Sequence, residues 1–147
     1  MDKEALIEQM KVVLASVFSL YLKSHNYHWN VTGPNFAQYH SFLSDVYTEV
    51  HGSIDVYAEH IRALGAYAPG SLKRFSELTK ISDEVAIPSA KFMFIRLAAD
   101  NEVILDELRT AANMAEALKE HGVLNFIEGQ IDAHEKLQWK LKAFEEA

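Results

Sequence analysis

The sequence contains no cysteine, which excludes disulfides, thiolate zinc sites, iron–sulfur clusters and cysteine nucleophiles. Glycine and proline are sparse, six and three in 147 residues, so few points can break a helix or turn the chain sharply. Basic charge is also short. Fourteen Lys and Arg are scattered among 21 Asp and Glu, giving a net charge of −7. Binding to nucleic acid is driven by clustered Lys and Arg that release counterions from phosphate, so DNA is not an expected partner. An acidic surface draws cations instead. No uninterrupted apolar run approaches the ~20 residues that cross a bilayer. The opening stretch "MDKEALIEQMKVVLASVF" is acidic and amphipathic, without the basic region and small-residue cleavage site of a signal peptide. The expectation is a soluble, cytoplasmic protein with no membrane attachment, built as a single domain over residues 1–147.

Period-2 alternation is nearly lacking, and period 3.6 dominates what remains. In the first segment Leu6, Met10, Leu14, Val17, Tyr21 and His28 recur at intervals of three, four or seven, tracing one helical face. "VTGP" (Val31 to Pro34) stops that helix and starts another, with Pro34 suited to the first helical position. The second segment runs from about Asn35 to Leu64, with Phe36, Tyr39, Leu43, Val46, Val50, Ile54 and Tyr57 on one face. Gly52 interrupts it at a cost of up to about 1 kcal/mol relative to Ala, which hints at close packing there. Between Gly65 and Ile87 the pattern lapses, although "SLKRFSEL" suits a short helix. A third segment follows Pro88 through Phe94, Leu97, Asn101, Leu105, Leu108, Ala112, Ala115 and Leu118, and Gly122 stands where a C-cap glycine belongs. The fourth carries Val123, Ile127, Ile131, His134, Leu137, Leu141 and Phe144.

The links set the topology. The first-to-second and third-to-fourth links are a few residues long, so each pair forms an antiparallel hairpin. The second-to-third link exceeds twenty residues, enough to travel the length of a bundle. Two hairpins joined by one long crossover is the ferritin-like arrangement. The expected fold is all-α, a ferritin-like four-helix bundle whose crossover carries a short helix between helices 2 and 3.

Bundles of this kind often build a di-iron site in their own core from two single Glu and two Glu-x-x-His motifs. Here the residues three before the seven histidines are Leu22, His25, Ala37, Thr48, Tyr57, Leu118 and Ile131. None is Glu, so that core site cannot be assembled by the rule. The second helix offers another set. His40, Asp55 and Glu59 fall on or near one stripe, and Asp55 and Glu59, four apart, project side by side. Two carboxylates with imidazoles suit a borderline ion such as Fe²⁺. Yet His40 and Asp55 are separated by fifteen residues, about 22 Å at 1.5 Å per residue. One chain cannot bring them together, whereas an antiparallel copy of the same helix across a two-fold axis can.

"HWNVTGPNFAQYH" followed by "DVYAEHIRALG" resembles the signature of the Dps family, the mini-ferritins, and "GQIDAHEKLQWKLKAF" resembles that family's last helix. The likeness spans almost the whole chain. It implies a hollow dodecamer that oxidises Fe²⁺ between two-fold related subunits, with hydrogen peroxide or dioxygen, and stores the ferric mineral inside. It also implies His28 and His40 from one subunit and Asp55 and Glu59 from its partner as metal ligands and catalytic residues, with Trp29 beside them. One position departs: the family commonly has an Asp four residues after the second histidine, and here Ser44 stands there. Asp45 is rotated by ~100° around the helix and is no direct substitute. His25, one turn before His28 and read onto the same buried stripe as Tyr21, is either a compensating ligand, directly or through water, or a packed histidine bonded to a backbone carbonyl. Glu135, with Asp132 and Glu128, matches the acidic lining of the family's three-fold pore. Two other readings stay open: a shell whose oxidation site is impaired by the loss that Ser44 marks, and a DNA-compacting protein.

Overall fold

Asp2 opens the first helix, its carboxylate accepting the Ala5 N–H at 2.8 Å, an N-cap that satisfies one of the orphan donors of the first turn. The computed structural model describes residues 2–145, so the expected domain of residues 1–147 runs past the described residues at both ends. Five helices follow in order: α1 (Lys3–Asn30), α2 (Phe36–Ala63), α3 (Leu72–Leu78), α4 (Ala90–Ala117) and α5 (His121–Glu145). No strand occurs among the described residues. The four long helices pack as two antiparallel hairpins, and the short α3 lies in the crossover, as the link lengths require.

The crossover is bonded along α1. Ser16 Oγ accepts the Lys80 N–H at 3.0 Å, and the Ser19 and Thr79 hydroxyls are 2.7 Å apart. Further along, Glu84 accepts from the Tyr27 hydroxyl at 2.8 Å and the Arg96 guanidinium at 2.6 Å, which holds its carboxyl below the usual range. Those contacts carry the chain from the end of α2 to the start of α4.

One apolar cluster, from Leu6 and Met10 to Ile127 and Leu141, joins the four long helices. On α1 its stripe passes through Leu20, Ser24 and Tyr27, not through Tyr21 and His28 as the sequence suggested. Steps of seven residues drift by ~20° each around a straight helix, so Tyr21, His25 and His28 fall on a half-buried neighbouring strip. On composition α1 is apolar enough to span a membrane, but here its apolar face is core.

Three local expectations change. Pro34 precedes the α2 N-cap, Asn35, in a tight turn closed by Phe36 N–H to the Gly33 carbonyl at 3.1 Å. Gly33, at φ +114°, supplies the left-handed conformation that turn needs. Gly122 lies inside α5. The left-handed residue after α4 is Lys119, at φ 57°, because the paired bonds Lys119 N–H to Glu116 O and Glu120 N–H to Ala115 O close immediately after Leu118. A non-glycine residue there costs about 1–2 kcal/mol. A Cβ placed on Gly52 would meet nothing within 4 Å outside its own helix backbone, so nothing in the chain packs closely on that face.

Deep between α4 and α5, His134 Nδ1 donates to Asn101 Oδ1 at 2.7 Å. Asn101 Nδ2 donates to the His134 carbonyl and to Gln138 Oε1, and Gln138 donates to the Ala98 carbonyl. Burial pushes the His134 imidazole down from 6.5 to about 4. A histidine kept neutral in the fold takes its proton more readily when unfolded, so its contribution is full above pH 6.5 and is lost as pH falls toward 4. We predict that His134→Gln is less stable than wild type at pH 7.5, and that the gap narrows by about 2–3 kcal/mol at pH 4.5 in urea unfolding. A gap independent of pH would contradict it.

Candidate metal centre

The turn at residues 31–35 folds the end of α1 back against the start of α2, and this sets His28 opposite His40. His28 Nδ1 lies 2.7 Å from the His40 carbonyl, and His40 Nδ1 lies 2.7 Å from the His28 carbonyl. The helix end accounts for half of the arrangement. The His28 carbonyl is among the last four of α1, which have no intrahelical partner, and His40 satisfies it. A carbonyl only accepts, so both Nδ1 atoms carry the proton, and in each neutral ring the lone pair stays on Nε2. Fixing a tautomer by bonding the other ring nitrogen to a backbone carbonyl is how proteins prepare a histidine for metal.

The two rings stack at 3.7 Å with 16° between their planes. An imidazole binds metal through a lone pair in its own ring plane, so two near-parallel rings 3.7 Å apart present their Nε2 atoms in separate planes, to adjoining positions rather than to one point. Phe36 stacks near His40 at 4.9 Å, and Tyr47 lies 5.1 Å from His28. Imidazole nitrogen suits a borderline divalent ion, and the carboxylates that would complete its coordination are not beside these rings.

His25 stands one ring away, 6.1 Å from His28. It is half-buried rather than on the core stripe, for the drift just described. It lies between Tyr47, stacked at 3.8 Å, and Trp29 at 4.1 Å, and its Nδ1 is 3.1 Å from the Tyr21 hydroxyl. Burial first, then the neighbouring His28 and His51, pull its pKa below the ordinary value. Trp29 is 60% exposed.

Asp55 and Glu59 project from the exposed face of α2. Among the described residues, no three His, Asp or Glu come close enough to hold an ion within one chain, as the length of α2 requires. Ser44 is half-buried one turn beyond His40, and Asp45 is exposed. Away from this centre, Glu135 lies 3.7 Å from Arg109, and Asp132 pairs with Lys136 at 3.1 Å.

The rings of Tyr21 and Tyr47 were not singled out from the sequence. Their signal was there: Tyr21, His25 and His28 on α1, and Phe36, His40 and Tyr47 on α2, repeat at helical spacing and meet across one groove.

The ferritin-like domain family matches residues 7–146. The DNA protection during starvation protein of Brevibacillus brevis is 32% identical over 143 residues, covering 94% of this chain and 96% of that one. The chain is a Dps-family mini-ferritin. Among solved structures, a Dps protein from Bacillus brevis superposes with a TM-score of 0.93 at 28% identity, covering 98% of this chain and 99% of that one. Antigen TpF1 of Treponema pallidum gives 0.94 at 28% identity, covering 99% and 94%. Membership in the Dps family supports a general role in iron storage and protection against oxidative damage.

The tautomers are directly measurable. We expect long-range ¹H–¹⁵N spectra of the metal-free protein at neutral pH to show His28 and His40 protonated at Nδ1, with Nε2 bare. Protonation on Nε2 of either ring would contradict the reciprocal pair.

Proposed function

We propose that this protein oxidises Fe²⁺ at sites shared by two subunits and stores the ferric product within a dodecameric, cytoplasmic shell. Fe²⁺ is substrate and cargo here. His28 and His40 of one subunit offer Nε2 lone pairs, and Asp55 and Glu59 of the partner subunit offer carboxylates. The reciprocal bonding of His28 and His40 carries this reading, because it prepares two imidazoles for metal in a chain whose carboxylates lie elsewhere.

Symmetric antiparallel pairing of α2 that sets His40 against Asp55 and Glu59 puts the two-fold axis near Thr48 and Glu49. Gly52 is then about one turn from that axis, where a missing side chain lets two helices approach. Leu22, Trp29, Phe36 and Val56 on α1 and α2 are apolar and exposed, as side chains that a second copy would cover are.

The two carboxylates stabilise a trivalent ion more than a divalent one, which favours oxidation in place. Two Fe²⁺ supply the two electrons that hydrogen peroxide takes, giving two Fe³⁺ and, with two protons, two waters. Ser44 brings a neutral hydroxyl where the family commonly has a carboxylate, so the second iron should bind more weakly than the first. His25 stands 6.1 Å from His28, outside the imidazole pair.

Mixed shells test the sharing of the site. His40→Ala shells and Asp55→Ala/Glu59→Ala shells should each lose iron oxidation at least tenfold, followed as absorbance growth after peroxide. Random co-assembly at equal amounts makes half of the dimers mixed, each with one intact site of two, so about a quarter of wild-type activity should return. No recovery in mixed shells would sink the shared site.

A further inference from the structure

Beside the imidazole pair lies a set of rings that neither the fold nor iron binding requires. Tyr47 is 5.1 Å from His28 and stacks on His25 at 3.8 Å with planes 8° apart. Tyr21 is 6.4 Å from Tyr47 and holds His25 Nδ1 at 3.1 Å from its hydroxyl. From the pair to Tyr21, every step between ring centres is under 6.5 Å. Such steps are short enough for an electron to cross. A phenol gives up an electron readily only if its proton leaves too, and a proton acceptor must lie within hydrogen-bond reach, about 2.6–3.2 Å. Among the described residues, the Tyr21 hydroxyl has the His25 Nδ1 at that distance, whereas neither the Tyr47 hydroxyl nor the Trp29 indole N–H has a hydrogen-bond partner.

We propose that Tyr21, with His25 as its proton acceptor, is a one-electron donor that completes peroxide reduction when a site holds a single Fe²⁺, a role that rests on the iron-oxidation reading above. Ser44 makes the singly loaded site the common one. Hydrogen peroxide reduced by one Fe²⁺ alone yields hydroxide and a hydroxyl radical. With the relay, Fe²⁺ gives one electron and Tyr21 the second. The Tyr21 proton moves to His25 Nδ1, two protons come from solvent, and the O–O bond breaks to give two waters. The products are Fe³⁺, a neutral tyrosyl radical and a protonated His25. The next Fe²⁺ returns the electron, His25 returns the proton, and the sum is again two Fe²⁺ oxidised per peroxide. Tyr47, stacked on His25 and tilted against His28 at 5.1 Å, is the intermediate ring on that path.

The test is rapid freeze-quench electron paramagnetic resonance on the assembled protein. It is loaded anaerobically with one Fe²⁺ per site and mixed with hydrogen peroxide, with spin-trapping of hydroxyl radical and iron absorbance in parallel. Wild type should form a tyrosyl radical while iron is oxidised, with little trapped hydroxyl radical. In Tyr21→Phe the tyrosyl signal should fall severalfold and the trapped hydroxyl radical should rise severalfold. His25→Phe keeps a ring in the stack and removes the proton acceptor, and it should lower the tyrosyl signal even if Tyr21→Phe proves unstable. Iron oxidation without a tyrosyl radical in wild type, or a radical undiminished in both variants, overturns the relay. Failure of wild type to oxidise iron at all overturns the functional reading beneath it.

Discussion

α2 is an uninterrupted helix from Phe36 to Ala63, and its rise of 1.5 Å per residue holds His40 about 22 Å from Asp55. Imidazoles and carboxylates that suit one ion therefore lie more than four helical turns apart in the same chain. The interior does not relieve that separation. Its polar groups are satisfied by the chain itself: Ser16 donates to the Val12 carbonyl, Ser24 to the Tyr21 carbonyl, Lys23 pairs with Asp100, and Asn101 and His134 close their own network. Among the described residues no buried side-chain nitrogen or oxygen lacks a partner. Among the described residues no group of three His, Asp or Glu gathers in that interior, whereas the groove between α1 and α2 holds two imidazoles with their tautomers fixed.

Much of the fold was legible because helix period and link length are local quantities. Two short links and one long link were enough to order the bundle, and "SLKRFSEL" was enough to place α3. The misreadings came where local rules compete with packing. Stepping by sevens from Leu14 to Tyr21 to His28 drifts off the core face, so Leu20, Ser24 and Tyr27 line it instead. Gly122 looked like the cap of α4, but the hydrogen bonds that close that helix required their left-handed residue at Lys119. Pro34 serves the turn rather than the helix.

The centre was legible in a different way. The flanking of one loop by His28 and His40, and the four-residue spacing of Asp55 and Glu59, named the candidates, and the length of α2 ruled out a site within one chain. The reciprocal bonds could not be read, because they depend on how far α1 runs before its last carbonyls go free and on the tilt at which α2 returns. The setting of His25 was legible only in part: the helical spacing of Tyr21, His25 and His28 and of Phe36, His40 and Tyr47 was there, but how the two strips meet was not. Those rings give the proposed site a chemical context: where Ser44 stands in place of a carboxylate, oxidisable side chains and an imidazole bonded to Tyr21 lie close to the imidazole pair.

The central claim is that metal joins two copies of this chain rather than filling one. Anomalous diffraction at the iron edge, from crystals loaded with Fe²⁺ under anaerobic conditions, tests it most directly. Iron peaks are expected in contact with His28 and His40 of one subunit and with Asp55 and Glu59 of the partner subunit. A peak inside a single bundle beside Asn101 and His134, with none at the imidazole pair, would contradict it.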